Sequence, residues 1–247
     1  MSGTRSLFRR GPVTEAIIVS HGQPSKPQAG EYQVQTLAKQ VSQQLPSWSI
    51  RSATLAAPGA LEKALERSEG EPLVFPLFMS EGWFTKKALP GRLGDANCRQ
   101  LPPLGTHPEL PRSAARLLRR AAERRGWSLE DCDVLIAAHG SPTGATAAES
   151  CHHFASALRD LLPVREVRRG FLEQEPHLSS VAAQRGPKTL ALPFFATPGG
   201  HVTEDVPQAL GAAGFEGVRL PCIGQAWFIP DLIAHSLKCA AIRSMAA

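Results

Sequence analysis

The chain has 247 residues, 43% apolar and 20% charged, with a formal net charge of +5, a balance that suits a globular protein of one large α/β domain or two smaller ones. No apolar run approaches the roughly 18–20 residues that span a bilayer, and the basic start "MSGTRSLFRRGPVTEAIIVS" lacks a signal-type hydrophobic region, so a cytoplasmic protein is expected. The five cysteines are widely spaced with no C-x-x-C pair, which argues against a disulfide framework or a cysteine metal site.

In chain order, "AIIVSHGQP" (16–24) reads as an apolar strand that delivers His21 at its carboxyl end. Pro58 follows in "AAPGAL", then "PLFMSEGWFTKKALPGRL" (76–93) and "LPPLGTHPELP" (101–111). The stretch "RSAARLLRRAAERRG" (112–126) has helical apolar spacing through Leu117, Leu118 and Ala122 and gathers many of the basic residues. A solvated helix face explains it, and attraction of a polyanion is the sharper alternative. Nucleic acid is not the expected partner, because there is no aromatic-interleaved basic sheet and no zinc-finger spacing.

The second half repeats the first. "VLIAAHGSP" (134–142) lies over 16–24 at an offset of 118, placing His139 opposite His21, and Pro176 faces Pro58 at the same offset. "PFFATPGGHVTEDVPQAL" (193–210) lies over 76–93 at 117, and "LPCIGQAWFIP" (220–230) over 101–111 at 119. Two copies are expected, at 14–126 and 127–247. In the second, "DVLIAA", "EVRRGFL", "KTLALPFF" and "GVRLPCI" each precede a helical stretch. Strands alternating with helices at this spacing predict a parallel sheet with helices on both faces, and ligands beyond the carboxyl ends of its strands.

Four residues stand at those ends in copy two: His139, His201 and, after the second strand, Glu173 and Glu175. Two imidazoles and two carboxylates make a mixed site suited to a borderline divalent ion such as Fe²⁺, Co²⁺, Ni²⁺ or Zn²⁺. Thr203 is placed to cap the helix that follows His201, with Glu204, Asp205 and Pro207 as residues of its first turn. Copy one is an internal control. By these offsets Phe84 stands for His201, Leu55 for Glu173 and Ala57 for Glu175, while the prolines, glycines and apolar positions are kept. The fold therefore does not require the polar set, and His21 reads as a remnant or a contributor to a shared cleft.

The pattern "AAHGS", "FLEQEP" and "ALPFFATPGGHVTEDVP" resembles the class II tetrapyrrole metal chelatases, and among them the two-repeat proteins similar to sirohydrochlorin cobaltochelatase and ferrochelatase. The resemblance, from Ala16 to Leu237, implies two duplicated flavodoxin-like units facing each other across a cleft, with no organic cofactor. It implies that His139 and His201 are the catalytic and metal-handling histidines, that Glu173 or Glu175 is the acidic metal residue, and that the chain has a single active site. The implied substrates are an acidic tetrapyrrole such as sirohydrochlorin and Co²⁺, Fe²⁺ or Ni²⁺; no nucleic acid or membrane partner is implied, and the chain would be a monomer or homodimer. Metallation removes two pyrrole protons while the ion exchanges protein ligands for nitrogens, work suited to imidazole and to a few weak mixed ligands. Two alternatives remain: a metal or tetrapyrrole binder without turnover, and a histidine-phosphatase-like enzyme. The second lacks its phosphate arginine, since Ser20 and Ala138 precede the histidines.

Overall fold

The computed structural model describes residues 14–141 and 146–245. It contains two four-stranded parallel sheets. The first takes β1 (Thr14–Ser20), β2 (Trp48–Thr54), β3 (Leu73–Pro76) and β4 (Arg99–Gln100) in the order β2-β1-β3-β4. The second takes β5 (Asp133–Ala138), β6 (Glu166–Phe171), β7 (Thr189–Pro193) and β8 (Val218–Arg219) in the order β6-β5-β7-β8. The central strands β1 and β5 are near-continuous apolar runs because helices cover both their faces. Register repeats as well: Ala16 pairs with Leu73 and Val134 with Leu190, at the offsets 118 and 117 seen in sequence.

Each first strand ends in the same bend. Gly22 and Gly140, directly after the strand-end histidines, have φ of 75° and 77°, which favour glycine. A Cβ at Gly22 would lie 2.7 Å from Thr54 Cβ, and one at Gly140 2.7 Å from Gln174 Cγ, so the backbone passes close under the neighbouring loop.

In the first half α1 (Pro27–Gln44), α2 (Ala60–Glu66) and α3 (Leu89–Leu93) cover the sheet, and in the second α5 (Thr146–Leu161), α6 (Leu178–Ala182) and α7 (Val206–Ala212). The last helix of each copy does something the sequence did not reveal. The helix α4 (Leu110–Glu123), which closes copy one in sequence, packs on α5 and β7 of copy two. The helix α8 (Ile229–Met245), which closes copy two, packs on α1 and β3 of copy one.

The α4 stripe that drives this exchange is Leu110, Ala114, Ala115, Leu118 and Ala122, all fully buried, with arginines on the opposite face. Pro111 starts the helix, where its missing N–H is not needed. Gly126, at φ 65°, ends it while Trp127 N–H reaches back to Ala122 O. Leu118→Ala would cost about 3 kcal/mol by leaving a cavity between the halves. The inner faces consequently merge into one core, whereas the outer faces keep separate clusters under α2 and α3 and under α6 and α7. Among the described residues no helix is long and apolar enough to cross a membrane.

Candidate functional site

The carboxyl ends of β1, β3, β5 and β7 open on a common cleft of about 590 Å³, within the usual range for small-molecule sites. Its floor includes Leu77, Phe78, Phe194 and Phe195, and His21, His139 and His201 all line it. A larger hollow of about 840 Å³ runs along α1, β2 and α2, but no histidine or cysteine lines it.

His139 leaves the end of β5 on the Gly140 bend, and its Nδ1 lies 3.1 Å from Gly140 O. His201 starts a widened helical turn, 201–205, in which Val206 N–H bonds His201 O five residues back. The proline that follows, Pro207, lacks an N–H and its ring crowds the preceding carbonyls; a wider turn relieves both problems, and copy one has the same turn at 84–88 before Pro90. The turn puts Asp205 one coil above His201, with Oδ2 2.6 Å from His201 Nδ1. Thr203 does not cap this element: Gly200 occupies the cap position, and the Thr203 hydroxyl donates back to Gly199 O, just ahead of the turn.

The two imidazoles meet edge to face with ring centroids 4.3 Å apart, and their Nε2 atoms are separated by 3.1 Å. A carbonyl and a carboxylate only accept, so both Nδ1 atoms must donate, to Gly140 O and Asp205 respectively. Each neutral ring then turns a lone pair towards the other. Two lone pairs at 3.1 Å repel unless a positive charge stands between them, either a proton shared by the pair or a metal ion. With N–metal bonds of about 2.05 Å, this separation corresponds to an N–metal–N angle of roughly 100°, suitable for two adjacent ligands of an open coordination sphere.

Copy one preserves the geometry without the second imidazole. His21 Nδ1 lies 2.8 Å from Gly22 O, and the Phe84 ring meets the His21 ring at 4.4 Å and 74°. Phe84 thus occupies the place that His201 takes opposite His139. Asp205 corresponds to Ala88, so the orienting carboxylate is missing there too. That contact escaped sequence reading because Asp205 is equally a good first-turn residue; the H-x-x-x-D spacing, set against F-x-x-x-A in copy one, was the available signal.

Glu173 and Glu175 lie on the β6–α6 connection, and neither lines the cleft. Glu173 N–H donates to His139 O. Its counterpart is Ala56, whose N–H donates to His21 O, and Leu55 instead matches Leu172; the sequence alignment was one residue off here because copy two has an additional residue before Pro176. Glu175 is exposed, accepts the His177 N–H and sits 3.4 Å from His177 Nε2. Among the described residues no three His, Cys, Asp or Glu side chains are grouped to hold a metal ion.

The cysteines are free, and burial pushes the Cys151 thiol up to about 12 and that of Cys222 up to about 11, so neither is a thiolate at neutral pH. Burial first, then the charges of Arg169 and His153, lowers the pKa of His152, and burial followed by His235 lowers that of His107; neither ring lines the cleft.

Comparison with known proteins agrees with this architecture. The CbiX family model matches residues 15–121 and 133–238, one copy after the other. A solved CbiX, described as the terminal enzyme of siroheme biosynthesis in denitrifying bacteria, is 40% identical, with a TM-score of 0.84 over 92% of this chain and 99% of that one. The probable sirohydrochlorin cobaltochelatase of Halobacterium salinarum is 22% identical over 78% of this chain and 75% of its own length. SirB from Bacillus subtilis subspecies spizizenii, a sirohydrochlorin chelatase solved with cobalt, shares the fold at 15% identity and a TM-score of 0.68 over 91% of this chain and 94% of that one.

Proposed function

The chain belongs to the CbiX family of class II tetrapyrrole chelatases, enzymes that insert a divalent metal ion into a tetrapyrrole, and we propose that it metallates sirohydrochlorin at the facing imidazoles of His139 and His201. The observation that carries this reading is the pair of facing Nε2 atoms 3.1 Å apart in the cleft. An incoming ion is held there by two ligands, weakly enough to be given up to four pyrrole nitrogens. Once the ion leaves, the same lone pairs accept the protons displaced from the macrocycle. Asp205 keeps His201 in the tautomer that offers Nε2, as carboxylates behind metal-binding histidines do.

The apolar walls at Phe78, Phe84 and Phe195 suit a flat macrocycle and keep water from competing for the ion. We assign Glu173 and Glu175 the role of drawing the ion towards the histidines, as carboxylates on the loop that follows β6. Copy two, 127–247, would then supply the reacting groups and copy one, 14–126, the facing wall with His21. The metal is a substrate, with Co²⁺ and Fe²⁺ both compatible with these ligands.

An anaerobic absorbance assay of sirohydrochlorin with Co²⁺, Fe²⁺ or Ni²⁺ tests the proposal. The expected result is catalysed formation of metallated product with at least one ion, reduced about 100-fold or more in His139→Ala and His201→Ala. Sirohydrochlorin binding without turnover in the unmodified protein would overturn it.

A further inference from the structure

A basic pocket lies apart from the histidine cleft. The exposed face of α4 and the end of β8 enclose a pocket of about 570 Å³ lined by Arg120, Arg124, Arg125, Arg219 and Trp227. It shares no lining residue with the histidine cleft. Among the described residues none of these four arginines makes an ion pair, whereas Arg51, Arg92, Arg165, Arg168 and Arg185 all do. The Trp227 ring, 48% exposed, supports the Arg120 guanidinium at 4.6 Å from its centroid, with Arg116 at 5.9 Å. An aromatic face holds such a cation in place without neutralising it.

Part of this charge has a structural explanation. Cations at the carboxyl end of a helix offset its dipole, and Arg125 donates to Ala121 O there. The duplication shows that this does not account for the whole cluster. At the matched positions of copy one and of α8, which packs on it, Arg219 is Gln100, Arg120 is Cys239 and Trp227 is Pro108, while Arg124 keeps its charge as Arg243. Gln100 Nε2 donates to Thr85 O and Arg219 Nη1 to the equivalent Val202 O, so an uncharged amide does the same tethering. The charge at Arg219 is surplus to that role and borders the same pocket as Arg120 and Arg124.

We propose that this pocket binds a compact polyanion, a small molecule carrying two or more phosphate or carboxylate groups. Guanidinium forks match both oxyanions in a planar, paired geometry, and four of them around one pocket exceed what a single charge would need.

The test uses the metal-free full chain at about 150 mM KCl, where diffuse surface attraction is screened within about 8 Å. Pyrophosphate and tricarballylate are titrated separately by calorimetry, with Trp fluorescence in parallel. The expected result is saturable binding of at least one of them, weakened at least about tenfold in Arg120→Gln/Arg124→Gln and unchanged in His201→Ala. Saturation by pyrophosphate alone assigns the site to phosphates, and by tricarballylate alone to carboxylates. A fluorescence change lost in Trp227→Phe supports the location. A non-saturating response to both anions, or equal affinity in the arginine variant, overturns the proposal. Because these arginines are exposed, their substitution does not threaten the fold.

Discussion

Replacing Asp205 by Asn changes one group behind His201 while keeping its shape. A carboxylate only accepts, which holds the imidazole proton on Nδ1; an amide can turn its NH₂ to that nitrogen and let the proton move to Nε2. His201 would then present an N–H to His139, and the opening between the rings would be closed to a metal ion. Both partners are 48% exposed, so the Coulombic part of the pair contributes less than about 1 kcal/mol. The larger effect is on tautomer and ring orientation. Carboxylates behind metal-binding histidines are worth about 10–100-fold, and half-exposure places this one in the lower part, roughly 10–30-fold. Initial metallation rates, measured against metal at fixed sirohydrochlorin and then the reverse, should show that loss in kcat/KM for the metal. KM for sirohydrochlorin should stay within about twofold and thermal stability close to wild type. Metal kinetics within twofold of wild type in Asp205→Asn would refute the orienting role.

Three further outcomes follow from the same geometry. Phe84→His with Ala88→Asp should create a second pair with His21, since Phe84 already meets that ring at 4.4 Å; Co²⁺ titration should give twice the wild-type stoichiometry, and an unchanged value would contradict the matched geometry. Gly224→Ala places a Cβ 1.9 Å from Ala196 O, on the loop leading to His201, and should cost about 3 kcal/mol in denaturant melts, while Gly211→Ala, in open space on α7, should be neutral or slightly stabilising. Glu15 is buried, which raises its pKa, but the Arg51 guanidinium and the Glu69 and Gly70 N–H groups together outweigh burial and hold the carboxyl below its ordinary 4.5. The unfolded chain therefore takes up the proton first on acidification. Glu15→Gln should cost about 2 kcal/mol at pH 7, with the difference present above pH 4.5 and shrinking as the pH falls through the folded value. Parallel melting curves at pH 3.5 and pH 7 with the same separation would contradict this.

The repeat, the parallel strands and the strand-end histidines were legible because each rests on local signals: apolar runs ending in His-Gly, prolines held at constant offset, and a Phe where the other copy has His. Three features were not. The Asp205 contact was hidden because an acidic residue at that position serves a helix start equally well, although its spacing of four from His201 allows the two side chains to meet. The matching of Glu173 slipped by one residue because the insertion before Pro176 falls between two well-aligned blocks. The crossing of α4 and α8 could not be read at all, since an amphipathic helix states that it has a buried face and not which sheet covers it.

That crossing bears on how the two walls of the cleft came to differ. A lone copy ending in such a helix would leave its own sheet uncovered and offer its last helix to a second copy. Its stable form would be an intertwined pair of identical chains with two equivalent histidine sites across one groove. Joining the copies end to end keeps every packing contact but frees the two walls to diverge. One wall can then carry a phenylalanine where the other carries an imidazole, so that a symmetric groove acquires one polar side and one apolar side.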